Sequence, residues 1–242
     1  GEPVEIPGEQ FRASDGGEYF VPSSTSEAVL GPTPSGSCGS LQGRKMVLLP
    51  DGRVLVAGRL GPMESSFVWS GPDLSSCQQV IGDIASIPSA LTLLHDGRAL
   101  ASGGVDTFGS TTGLLSVFNP VGNAWSPFQE AGEPRKDHEA VLLEDGRVLL
   151  IGGWDQDGQL RLTTEIVSPD GTLAPGGTLM VGRAGHRAIR LRDGRVLVVG
   201  GRYGTVTLQQ AEIFDPAEGP TYWGATGATL TARVSPTLSL LP

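Results

Sequence analysis

The sequence is short of the residues that most often carry chemistry. It has two cysteines, three histidines and three methionines, and among its 17 basic residues only Lys45 and Lys136 are lysines. Cys38 and Cys77 form no CxxC pair, so a zinc ribbon or a thioredoxin-like motif is excluded. They are expected to form one structural disulfide, which suits an exported protein in an extracellular or periplasmic location. The arginine excess fits a high-GC bacterial source. No apolar run approaches the roughly 18 residues of a spanning helix, so no membrane insertion is expected. The net charge of −9 provides no basic stripe to displace counterions from phosphates, which argues against nucleic acid as a partner. No stretch carries the 3.6-residue period of a helix, and no Gly-x-Ser-x-Gly elbow or Cys–His pair is visible. The readings are therefore no catalytic residue, no metal and no cofactor.

What is abundant is turn-formers. The 36 glycines and 18 prolines are spread along the chain rather than pooled in a linker. The tripeptide DGR begins at Asp51, Asp96, Asp145 and Asp193, at spacings of 45, 49 and 48 residues. Each copy sits between two apolar runs, as in AVLLEDGRVLLIGG, which predicts a hairpin with a two-residue type I′ turn at Asp-Gly. A third run ends in proline at Pro72, Pro120, Pro169 and Pro216, and a fourth carries Trp125 in one copy and Tyr222 and Trp223 in another. Four strands per unit of about 48 residues, repeated, predict the blades of an all-β propeller.

The double glycine closing the second strand, the E-I/V-F-x-P third strand and the aromatic fourth strand resemble the kelch repeat. ARVSPTLSLLP at the C-terminus matches the first strand of a further unit, with Arg233 at the place of Arg135 and Arg183. GEPVEIPG then resumes in register, and EYFVP ends on Pro22 like a third strand. The expectation is a single-domain, five-bladed propeller of four-stranded antiparallel blades, closed by the C-terminal strand joining the N-terminal blade, with no free edge at the seam. The blades are placed at 234–242 plus 1–34, 41–82, 87–130, 135–178 and 183–228.

Repetition also separates scaffold from site, because a feature present in every blade serves the blade. DGR is read as a turn whose arginine covers the turn or the next blade. Gly103-Gly104, Gly152-Gly153 and Gly200-Gly201 open no helix, so they are not a phosphate loop; they are read as places of close backbone packing. The kelch resemblance implies that Arg135, Arg183 and Arg233, with Glu165 and Glu212, brace strands within a blade, since a buried arginine needs a partner. His138 and His186 share a register filled elsewhere by Arg44, Ser89 and Pro236, and are read as a structural pair rather than metal ligands. The DQDG at Asp155 lacks the other positions of a calcium loop.

What varies is the loop after each second strand: RLGPMESS, VDTFGSTTG, WDQDGQLRLT and RYGTVTLQQ. These loops are expected on one face around the channel, presenting Arg59, Met63, Asp106, Phe108, Trp154, Asp155, Arg202 and Tyr203. Trp154, expected to be exposed, and Asp155 are read as the departures from the repeat where function resides. The function expected is a non-catalytic, monomeric binding module for a protein or carbohydrate ligand. The alternative is a carbohydrate-active hydrolase using a pair drawn from Asp106, Asp137, Glu139 and Asp155 at the channel.

Overall fold

The computed structural model describes residues 42–60, 63–70, 76–82, 84, 86–130 and 132–240, with the short strands β1 (Phe20–Val21) and β2 (Val29–Leu30), which pair antiparallel. Among the described residues there is no helix. The expected N-terminal strands at GEPVEIPG and Pro22, Cys38, and the third-strand Pro72 lie outside the described residues.

Four four-stranded antiparallel sheets follow one another along the chain. The first comprises β3 (Gln42–Leu48), β4 (Val54–Leu60), β5 (Met63–Ser70) and β6 (Ser76–Gln79). The second comprises β7 (Ala90–Leu93), β8 (Ala99–Ser102), β9 (Leu114–Asn119) and β10 (Ala124–Glu130). The third runs through β11 (Glu139–Leu142), β12 (Val148–Ile151), β13 (Thr163–Val167) and β14 (Leu173–Thr178). The fourth has β15 (Arg187–Arg190), β16 (Val196–Val199), β19 (Gln210–Phe214) and β20 (Trp223–Ala228), with a small hairpin, β17 (Arg202–Tyr203) and β18 (Val206–Thr207), in its second loop. Within each sheet the strands lie in sequence order, and the first strands pack side by side, β3 on β7, β7 on β11 and β11 on β15. First strands inside and fourth strands outside is the arrangement of propeller blades.

The DGR turns differ from the expected type. Gly52 N bonds to Leu49 O and Leu49 N to Arg53 O, with φ +84° at Gly52 and no positive φ at Asp51. A type I′ turn would need positive φ at both central residues, so this is a three-residue loop ending in a glycine bulge. The other three copies repeat both bonds. The aspartate sits inside the turn, where Asp51 Oδ1 accepts from Arg53 N at 3.0 Å and Oδ2 from Arg53 Nε at 2.8 Å. Arg53 also donates to Pro120 O of the next sheet at 2.7 Å, so it covers both turn and neighbour.

The double glycines are the close approaches the pattern implied. Gly153 has φ +96°, and a Cβ there would stand 2.6 Å from the Lys136 carbonyl oxygen; at Gly201, φ +87°, it would stand 2.8 Å from that of Ala184. Each second glycine donates to the next unit: Gly104 N to Arg135 O, Gly153 N to Arg183 O and Gly201 N to Arg233 O. Where Arg59 replaces the second glycine, β4 runs on to Leu60, which pairs with Met63 of β5.

Three apolar seams join adjacent sheets. Leu55, Ala57 and Val68 meet Ala99, Phe118 and Trp125; Leu100 and Val117 meet Val148 and Leu150; Leu149, Ile151 and Ile166 meet Val196, Val198 and Phe214. At about 1.5–3 kcal/mol per fully buried Leu, Ile, Val or Phe, these seams are the main favourable term. The fourth-strand tryptophans clamp them: Trp125 donates to Ser66 Oγ and Trp223 to Gly176 O, each in the preceding sheet. A fourth cluster, Val54, Val56 and Phe67, lies on the far face of the first sheet and is made of that sheet alone.

Candidate functional site

Arginine at the entry of the third and fourth sheets is scaffold, as expected. Arg183 is fully buried; it donates to Gly200 O and Gln210 O at 2.9 Å each and to Glu212 Oε1 at 2.6 Å. Arg135 repeats this with Gly152 O, Thr163 O and Glu165. In the second sheet Ser86 takes the register and gives its hydroxyl to Gly103 O at 2.7 Å.

The histidines do not converge. His138 reaches Ser102 in the seam toward the second sheet, with 2.9 Å between Nε2 and the hydroxyl. The His186 ring is pressed against Gly152 in the seam beyond. Burial, with Arg183 and Arg187 nearby, lowers the His186 pKa to about 3. His138 is likewise pushed well below its ordinary value by burial and by Arg135.

The loops after the second strands share one face, because each bridges to the entry of a sheet: Val105 with Ile87, Trp154 with Lys136, Arg202 with Ala184. Trp154 is half-buried rather than exposed. It exchanges two backbone bonds with Lys136, and the Arg202 guanidinium of the next sheet lies over its ring at 5.7 Å. Phe108 stands 91% exposed at the loop tip and Tyr203 57% exposed on the small hairpin. Arg59 reaches across to Asp106 O at 3.1 Å.

Asp155 is not a departure from the repeat. Its Oδ1 accepts from Asp157 N and Gln159 N at 2.9 and 2.8 Å, and Asp106 Oδ1 accepts from Phe108 N and Ser110 N at 2.9 and 2.8 Å. Both aspartates stand ten residues after their turn aspartates and shape their own loops. Among the four carboxylates of the hydrolase alternative these two are so engaged, and Glu139 is paired with Arg187 at 2.5 Å. Asp137 is exposed, with φ +53°.

A second group lies on the inner strands, and of its residues sequence reasoning named only Glu139, as a hydrolase candidate. Six residues before each turn aspartate the inner strands carry Lys45, Ala90, Glu139 and Arg187. Burial lowers the Lys45 pKa, opposed by Glu139 and reinforced by Arg187; burial raises that of Glu139, opposed by Arg187 and Lys45. The signal was available: this register is charged in three copies and alanine in the fourth, while the residue after it is apolar in all four.

The fold is of the β-propeller class. It is similar to the solved structure of YjhT, a kelch-type β-propeller, at 13% sequence identity and a TM-score of 0.70, over 90% of this chain and 80% of that one. That likeness concerns the fold alone. No family model and no curated protein matches the sequence.

Proposed function

We propose that the protein is a binding module that meets a protein or glycan ligand on the face carrying the second-strand loops. The carrying observation is the contrast between its two faces. On the turn face each DGR closes its charges on itself, with Asp–Arg contacts of 2.6–2.7 Å in all four copies. On the loop face Phe108 and Tyr203 stand exposed beside the Trp154–Arg202 stack and Arg59. Aromatic rings next to arginine are what binding surfaces concentrate, and Asp106 and Asp155 hold the loops in shape. Trp154→Ala is expected to leave the melting transition cooperative and to weaken a ligand selected by glycan array or pull-down by at least about tenfold, the scale of a lost hot spot. Unchanged affinity would place the ligand elsewhere.

We propose further that the ring closes at five blades. The C-terminal segment repeats the contacts of a sheet entry: Arg233 O accepts from Gly201 N, and Ser235 N donates to Gly185 O as Gly185 N does to Asp137 O. Asp137, Gly185 and Ser235 all have positive φ, at +53°, +60° and +48°. Ile189, Leu197 and Ile213 share the half-buried far face of the fourth sheet, matching the apolar far face of the first. Deleting residues 233–242 should lower Tm and raise dye binding to apolar surface; an unaltered melt would exclude closure through this segment. An exported location and a Cys38–Cys77 disulfide belong to the same reading. Cys77 lies on β6, and an intact mass unchanged by reductant would remove the disulfide.

A further inference from the structure

Asp-Gly occurs at seven places in the chain, of which Asp15-Gly16 lies outside the described residues. In five of the other six the aspartate spends its carboxylate on its own turn. Each DGR aspartate accepts from the arginine amide on one oxygen and from the guanidinium on the other. At Asp51, Asp145 and Asp193 the bond from the guanidinium also holds the carboxyl below its ordinary range. Asp170 accepts from the amide and the hydroxyl of Thr172. Asp157 differs from all five. It is exposed in the loop after Trp154, and its carboxylate has no hydrogen bond or ion pair among the described residues.

The turn does not need that carboxylate. Asp106 and Asp155 shape matching loops, in which Phe108 takes the place of Asp157 and Gly109 that of Gly158. Both glycines have positive φ, +85° and +72°. Gly158 N meets Asp155 O at 3.3 Å, while the glycine amides of the five engaged turns bond at 2.9–3.2 Å. Apart from its chain neighbours, nothing stands within 4 Å of where a Cβ would lie at Gly158, so its amide nitrogen is unshielded. We propose that Asp157-Gly158 is a site of spontaneous covalent modification, where the chain closes to a succinimide and reopens as isoaspartate. Gly158 N attacks Asp157 Cγ, a C–N bond forms, and the amide hydrogen leaves with the carboxyl hydroxyl as water. Water then opens the ring at either carbonyl, so one water is lost and one regained. Opening at the main-chain carbonyl leaves the chain running through Cβ of Asp157. The added carbon falls between the Asp157 and Gln159 amides, both of which Asp155 Oδ1 accepts, so the product strains the loop that follows Trp154. Loss of a ligand on ageing rests on the loop-face reading; the modification does not, and it is tested without a ligand.

Folded protein kept in water enriched in heavy oxygen, near neutral pH, retains a heavy oxygen whenever a succinimide opens. Tryptic peptides separate the sites: Asp157 lies on 148–161, Asp51 on 46–53, Asp145 on 137–147 and Asp170 on 162–183. Peptide 148–161 should take up label at least about tenfold faster than the other three, because those must first open a charge-assisted hydrogen bond. In urea the four rates should converge, since the same dipeptide is then free in each. Asp157→Glu should clear the label from 148–161, because its ring would need six members. Label persisting there would move the reaction to Asp155 and overturn the proposal. So would labelling of 148–161 no faster than the other three in the folded protein, or a contrast that survives in urea.

Discussion

Replacing Arg183 by methionine is expected to destabilise the fold by about 3–5 kcal/mol, the range for removing one partner of a buried ion pair. Methionine fills similar volume, so the loss is electrostatic rather than a cavity. Glu212, with a side chain only 3% exposed, keeps the amides of Met180 and Val181 but loses its counter-charge. The carbonyls of Gly200 and Gln210 lose their donor as well. The chain itself shows that the pair goes together. Aligned on their second strands, Arg135 stands with Glu165 and Arg183 with Glu212, while the second unit has Ser86 with Ser116. Arg135→Met should cost less, because Glu133, 33% exposed, shares the charge and is partly solvated. Denaturant unfolding measures both; a loss below about 1 kcal/mol for Arg183→Met, the scale of an exposed pair, would show that the brace is not what holds the sheet entry.

Most of the scaffold was legible because it is written locally and several times. Gly52 and Gly153 are needed by the backbone at their own positions, and a dipeptide betrays that. The turn type was not legible, since Asp-Gly suits both a type I′ turn and a glycine bulge; the hydrogen bond of Leu49 to Arg53 decides it. Asp155 looked singular because the comparison followed loop sequences of unequal composition. Aligned on distance from the turn, it falls on Asp106, and the shared amide bonds give the reason. The inner-strand charges were the larger omission: Glu139 was named only as a hydrolase candidate, and Lys45 and Arg187 were not named. Glu139 and Arg187 are 48 residues apart in sequence, and only the side-by-side packing of β11 and β15 brings them together. A charge on an inner strand reads as surface until the curvature of the sheets is known.

The protein should lose stability in acid over the window from pH 6.5 down to about 3, and His186 should account for much of that loss. Its folded pKa of about 3 lies below the ordinary 6.5, so below pH 6.5 the unfolded chain takes up a proton that the folded chain refuses. Stability is therefore full above pH 6.5 and falls as pH drops, until the folded form is protonated too. The limiting slope is about 1.4 kcal/mol per pH unit, which amounts to about 3 kcal/mol at pH 4. The cause is structural: the ring is fully buried against Gly152 and Gly201, between the cations Arg183 and Arg187. The Arg183 carbonyl favours the protonated form, yet neither ring nitrogen reaches hydrogen-bonding geometry. His186→Leu should thus be neutral or stabilising at pH 8, where an unsatisfied polar ring is removed, and about 3 kcal/mol less acid-sensitive between pH 8 and pH 4. His138→Leu separates the two effects. It flattens the acid profile in the same direction, but it strands the Ser102 hydroxyl and should cost about 1–3 kcal/mol at neutral pH. Parallel stability–pH curves for wild type and His186→Leu would mean that the seam opens to water before the histidine is charged.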